Sequence, residues 1–235
     1  MENKIAVVAG GAGGVGEGIV KSLLVNNFTV VVPTRSEHKA ERLKQYVNAV
    51  NTGKLIVRIG AVTDEASAEE LKNYLHDEFK QIHLAVASLG GWHQGYPVYS
   101  YPVSDWNKIL NDNLTAHFLA IKTLVPLLNP ISGHYVHING FSADEQYPMA
   151  GPVSMTAAAQ KSLILTLAKE LERTGIQVHE LILGPMKTRD RLKHGHGQPD
   201  WYFPEEIGDY IIGLLQKTTN ENPLHYLLSK SKSKS

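Results

Sequence analysis

The stretch Ile5-Ala6-Val7-Val8-Ala9-Gly10-Gly11-Ala12-Gly13-Gly14-Val15-Gly16 runs an apolar segment into a glycine-rich turn. Ile19, Val20, Leu23 and Leu24 then recur at helical spacing. Strand, glycine loop and helix in this order form the arrangement that binds a dinucleotide pyrophosphate. The glycines permit a tight turn and close backbone approach, and the free N–H groups at the helix start face the phosphates. Two glycine spacings fit. Gly11, Gly13 and Gly16 read as GxGxxG, whereas Gly10, Gly14 and Gly16 read as GxxxGxG. Val15 lies inside both.

Working outward, the chain reads as repeated strand–helix units without a linker. Strands are expected at residues 29–32, 55–59, 84–87, 135–138 and 177–183, with a short last one at 224–228. Helices are expected at 37–50, 65–79, 103–128 in two pieces, 156–173 and 204–216. Ser36 is a plausible cap for the first of these, and Thr63 or Asp64 for the next. Such alternation predicts an α/β fold: a single Rossmann-type, doubly wound parallel β-sheet with helices on both faces. The domain is expected over residues 1–228, followed by a disordered Ser/Lys tail at 229–235.

Composition narrows the partners. The 235 residues carry a formal net charge of +0, which disfavours nucleic acid or a membrane surface as partners held by bulk charge. No cysteine is present, which removes disulfides, thiolate nucleophiles and cysteine-type zinc sites. No apolar run has the length of a membrane span. With a strand beginning almost at once, no signal peptide is expected, and a cytoplasmic location is. His194-Gly195-His196 is the densest histidine pair. It reads as exposed loop, and no metal site is expected.

Ligands of such sheets bind at the carboxyl ends of the strands. After the second strand, Val32-Pro33-Thr34-Arg35-Ser36 offers no carboxylate to accept from an adenosine ribose. Arg35 stands there instead, with hydroxyls on Thr34 and Ser36. A guanidinium pairs with a 2′-phosphate that a carboxylate would repel, so NADP is expected in preference to NAD. Glu37 and Glu41 lie close by and weigh the other way. Loops after later strands add Val62, Ser88, Leu89, Gly90, Pro185 and Thr188 to the expected cofactor-binding set.

The whole pattern resembles the short-chain dehydrogenase/reductase family over nearly the full chain. Gly10, Gly14 and Gly16 match its glycine loop. Trp106-Asn107-Lys108-Ile109-Leu110-Asn111-Asp112-Asn113-Leu114 resembles the segment bearing its active-site asparagine, which falls on Asn113. Ala157-Ala158-Ala159-Gln160-Lys161-Ser162-Leu163 resembles its YxxxK segment, with the lysine on Lys161. Leu183-Gly184-Pro185-Met186-Lys187-Thr188 resembles the stretch beside the nicotinamide. In this alignment the tyrosine falls on Ala157 and the serine on Asn139-Gly140, with Ser142 the next hydroxyl. Ala87-Ser88-Leu89-Gly90 replaces the motif after strand four, and Ala61 the acid that meets the adenine. Gly90-Gly91-Trp92 is similar to a run in dihydropteridine reductases, a branch that keeps its tyrosine.

The resemblance implies a carbonyl or alcohol oxidoreductase with a non-standard proton donor, with Asn113 and Lys161 retained and Lys161 also touching the cofactor. Tyr147 is the candidate displaced acid, because a phenol suits that chemistry. The alternative is a catalytically silent NADP-binding sensor or regulatory protein. The family likeness further implies a homodimer or homotetramer. Trp92, Tyr96, Tyr99, Tyr101, Trp201 and Tyr202 predict an aromatic wall for a flat or apolar small-molecule substrate.

Overall fold

The computed structural model describes residues 4–60, 62, 64–217 and 222–231. Seven parallel strands form one sheet in the order β3-β2-β1-β4-β5-β6-β7. They are β1 (Ile5–Ala9), β2 (Thr29–Thr34), β3 (Lys54–Ile59), β4 (Leu84–Ala87), β5 (His134–Gly140), β6 (Gln177–Leu183) and β7 (Leu224–Leu227). The helices are α1 (Gly16–Val25), α2 (Glu37–Val47), α3 (Glu65–Phe79), α4 (Val103–Leu110), α5 (Ala116–Leu124), α6 (Gly151–Glu170), α7 (Arg189–Lys193) and α8 (Pro204–Leu214). The order reverses between β1 and β4, which opens a crevice at their carboxyl ends.

Residue alternation along the strands builds a core on each face. Ala6 and Val8 of β1 join Ile19 and Leu23 of α1, Leu43 of α2 and Ile207 and Ile211 of α8 on one side. Ile5, Val7 and Ala9 join Leu71 and Leu75 of α3, Leu124 of α5 and Ile164 of α6 on the other. The α1–α8 crossing is close because both helices present glycine. A Cβ on Gly18 would lie 2.4 Å from Pro204, and one on Gly208 would lie 2.5 Å from Ser22.

The expected fold class holds, with local corrections. α6 begins at Gly151, earlier than the expected 156, because Pro152 occupies its first turn, where no N–H bond is forfeited. The region expected to be helical at 103–128 is α4 and α5 joined by one π-helical turn, Asn111–Thr115. The polar stretch after β6 carries α7, started by Thr188, whose side chain accepts from Arg191 N. Asp64 caps α3 by accepting from Ser67 N at 2.9 Å. Ala61 and Thr63 lie outside the described residues.

The end of the chain also departs from expectation. The Lys230 N–H donates to Asp200 O at 2.8 Å, Lys230 Nζ pairs with Glu206 at 2.8 Å, and Ser231 Oγ donates to Asp200 at 3.2 Å. The ordered chain therefore runs past the expected boundary at 228 to at least Ser231, held by acids on neighbouring elements. Residues 232–235 lie outside the described residues. No helix among the described residues is long and apolar enough to cross a membrane.

Candidate functional site

The carboxyl ends of the strands line a groove with two adjoining parts of about 650 Å³ and 360 Å³, which share Gly13, Ser88, Leu89, Gly90 and Asn113. The glycine loop forms its floor. Gly10 has φ +82°, and a Cβ there would lie 2.0 Å from Ser88 O. One on Gly16 would lie 2.2 Å from Gly10 O. Only glycine is accommodated at either position, so the loop's path is fixed by the Gly10 and Gly16 pair of the GxxxGxG spacing. Gly13, Gly14 and Val15 line the groove, whereas Gly11 and Gly16 are buried beneath it and shape it.

The larger part lies beside the end of β2. Thr34, Arg35 and Ser36 line it as expected, with Val62 opposite. Lys39 lines it too, a residue the sequence reading missed. It stands one turn beyond Arg35 because Ser36 caps α2, accepting from the Lys39 N–H at 3.2 Å. A cation four residues after Arg35, across a recognisable cap, was the available signal. Two cations and two hydroxyls thus stand together there, with no carboxylate at the strand end.

The smaller part is walled by Gly140, Phe141 and Ser142 after β5, by Val153, Ala157 and Gln160 of α6, and by Pro185, Met186 and Thr188 after β6. Asn113 sits at its back on the π-helical turn. Its amide donates to Gly91 O at 2.9 Å and accepts from Gly91 N at 3.0 Å, while its own carbonyl accepts from Gln160 Nε2. The side chain thus fastens the loop after β4 through one of its two amide hydrogens and its carbonyl oxygen.

Two expected residues are elsewhere. Lys161 lies outside the lining of this groove. Its Nζ meets Asp144 at 2.6 Å and Tyr226 OH at 2.9 Å, and Tyr226 OH donates to the same carboxylate at 2.9 Å. Desolvation works against the Lys161 charge, but the bonds to Asp144 and Tyr226 outweigh it and raise its pKa. The physical reason is helical register. α6 runs away from the carboxyl edge of the sheet, so the two positions with four-residue spacing that face the groove are Val153 and Ala157. Lys161 is a further turn down. Tyr147 is also off the groove. Its hydroxyl donates to Glu145 at 3.1 Å, and burial followed by that bond raises its pKa, opposite to what a general acid needs.

The aromatic wall is smaller than expected. Trp92 lines the groove and packs against Phe141, with ring centroids 6.2 Å apart. Tyr147 braces both rings from behind. Tyr96 and Tyr101 pack on each other, Tyr99 projects outward at 92% exposure, and Trp201 lies under Arg191. Tyr202 packs against the core. Phe141 was missed because it follows a strand end expected two residues earlier.

Ser142 is buried, lines the groove and has no hydrogen-bond partner among the described residues. Its Oγ lies 3.7 Å from where a Cβ on Gly140 would stand. Beneath the groove, Glu180 is fully buried. It accepts from Asn139 Nδ2 at 2.8 Å and faces His137 Nδ1 at 2.5 Å. Asn139 Nδ2 also donates to Ala157 O at 2.9 Å, tying β5 to α6. His117 packs on His137, and burial, then His137, pushes its pKa well down, so it is neutral.

Comparison with known proteins agrees with this architecture. Residues 4–197 match the model of the short chain dehydrogenase family. An uncharacterized oxidoreductase of Staphylococcus epidermidis is 26% identical over 223 residues, covering 94% of this chain and 95% of that protein. One from Staphylococcus saprophyticus is 26% identical over 228 residues, covering 94% and 95%. Among solved structures, a short-chain dehydrogenase/reductase from Serratia marcescens superposes with a TM-score of 0.83 at 22% identity, covering 97% of this chain and 98% of that one. A metagenomic short-chain oxidoreductase in complex with NADP gives 0.81 at 17%, covering 95% and 96%. With the matched segment spanning the glycine loop, the strand ends and the connection after β6, the chain belongs to the short-chain dehydrogenase family.

Proposed function

We propose that the groove binds NADP(H) and that this chain reads out the bound cofactor, as a sensor or regulatory protein, without an acid–base pair of its own. One observation carries the reading. Glycines and cations suited to a nucleotide line the groove, whereas the two groove-facing positions at phenol–lysine spacing are Val153 and Ala157. The cradle formed by Gly10 and Gly16 fits a pyrophosphate, and Arg35 and Lys39 with Thr34 and Ser36 suit a 2′-phosphate. When bound, the cofactor supplies hydride chemistry, and the protein supplies position. An alanine and a valine have no proton to give.

A second reading, an oxidoreductase of a carbonyl or alcohol with a non-standard proton source, is favoured by Ser142. Its unpartnered hydroxyl can hold a substrate oxygen, and Trp92 with Phe141 suits a flat, apolar small molecule. Exposed Phe118 on α5 and Met155 on α6 support the homodimer or homotetramer that the family likeness implies.

Titrating the protein with NADPH and NADH, followed by fluorescence of the bound nucleotide, tests the main reading. NADPH is expected to bind about tenfold or more tighter than NADH, with no turnover across a panel of aldehydes, ketones and quinones. Absence of NADPH binding overturns both readings. Binding with turnover selects the second.

A further inference from the structure

The connection between β6 and α8 is strapped across the glycine loop. Thr188 lies on Gly14, its Cγ2 3.1 Å from where a Cβ on that glycine would stand. Two ion pairs at successive residues then pin α7 from outside. Arg189 makes a two-pronged bond to the buried carboxylate of Glu17 in the first turn of α1, and Asp190 pairs with Arg42 of α2 at 2.8 Å. Arg191, the next residue, is different. Among the described residues it has no carboxylate partner. Its one side-chain hydrogen bond is a long one to Met186 O, at 3.4 Å, and its guanidinium lies over Trp201, 5.6 Å from the ring centroid.

Arg191 also lines the smaller part of the groove, alongside Gly13, Gly14, Val15 and Thr188. Among the described residues it is the one cation lining that part, and no Asp or Glu lines it. Its backbone N–H reaches Thr188 Oγ1 at 3.4 Å, so Arg191 and Thr188 stand one above the other over the glycine loop. A guanidinium set over an indole, with no carboxylate partner among the described residues and beside a bed of glycine backbone, is placed for an anion.

Resting on the NADP(H) reading, we infer that Arg191 binds the cofactor's pyrophosphate at its nicotinamide-side phosphate. It supplies the positive charge of that half of the groove, which Lys161 does not reach. The ion pairs at Arg189 and Asp190 hold α7 so that Arg191 stays over the loop.

Three ligands and two variants separate the possibilities. NADPH and 2′-phospho-ADP-ribose carry the nicotinamide-side phosphate, and 2′,5′-ADP lacks it. Arg191→Gln is expected to weaken the first two by roughly 10- to 100-fold and to leave 2′,5′-ADP within about twofold. Arg191→Lys is expected to restore most of the loss. The inference is overturned if wild type binds NADPH and Arg191→Gln binds it equally well. It is equally overturned if all three ligands weaken together with a lowered melting temperature, which marks a merely structural residue. Failure of the wild type to bind NADPH and 2′,5′-ADP at all overturns the cofactor reading itself.

Discussion

Arg35 and Lys39 stand together on the groove beside β2, and Arg35 is the one placed at the strand end where the family's NAD binders carry an acid. Arg35→Ala is expected to weaken NADPH binding by roughly 10- to 100-fold while leaving NADH nearly unchanged. Calorimetric titration of both nucleotides checks this, and an equal loss for NADH assigns Arg35 elsewhere. Lys161→Met is expected to leave NADPH affinity within about twofold, because the ammonium is engaged by Asp144 and Tyr226 off the groove. The double change Val153→Tyr with Ala157→Lys puts a phenol and an amine on the face that lines the groove. It is expected to raise NADPH-dependent carbonyl reduction by about 10²-fold or more over wild type, and an unchanged rate counts against the register argued for α6. The glycine loop and the position of Arg35 on the groove were legible in sequence because glycine and arginine speak through local geometry. The fate of Lys161 was not. Ala157, aligned with the family tyrosine, does line the groove, but Lys161 is engaged by Asp144 and Tyr226, residues 17 and 65 positions away that spacing along the chain does not bring to mind.

Elements were legible where pattern and cap agreed. α3, β4 and β6 have the bounds expected of them, because each is bracketed by turn residues or a capping acid. α6 begins five residues before the expected 156, with Pro152 in its first turn. The π-helical turn carrying Asn113 left no mark in apolar spacing. The glycine loop is the element most exposed to single substitutions. Gly10→Ala meets Ser88 O and a left-handed backbone together, and is expected to destabilise the fold by about 2–4 kcal/mol and to abolish nucleotide binding. Urea unfolding with a parallel NADPH titration measures both, and an unaffected midpoint contradicts the close approach.

Across the whole molecule, the edge of the sheet opposite the groove carries its own polar seam. His134, His179 and His225 stand on β5, β6 and β7, linked at 3.2 Å and 3.3 Å, and Tyr210 OH meets His225 at 3.0 Å. Burial first, then Lys4, brings His134 down to about 4. Burial, then His134, His225 and Lys217, brings His179 down to about 3. Burial and Lys217 lower His225 as well. An unfolded chain takes up protons on these rings below their ordinary value of about 6.5, where the native chain does not. Stability is therefore complete above about pH 6.5 and falls as pH drops toward about 4, at up to ~1.4 kcal/mol per pH unit for each ring. His179→Asn is expected to be less stable at about pH 7.5 but to lose less between there and about pH 5. Urea midpoints at several pH values decide it, and an unchanged slope removes His179 from the account. Histidine spacing along the chain does not reveal this seam, since strand pairing alone brings the three rings side by side.

The seam also has a direction. Each neutral imidazole carries one hydrogen and one lone pair along the line, so neighbouring rings cannot choose independently. If Tyr210 donates to His225 Nδ1, all three rings must hold their hydrogen on Nε2; if it accepts, all three hold it on Nδ1. A single phenol thus sets the tautomer of three strands at once. Nitrogen-15 resonances of the three rings should report one shared state, and should change together when Tyr210 is replaced by phenylalanine.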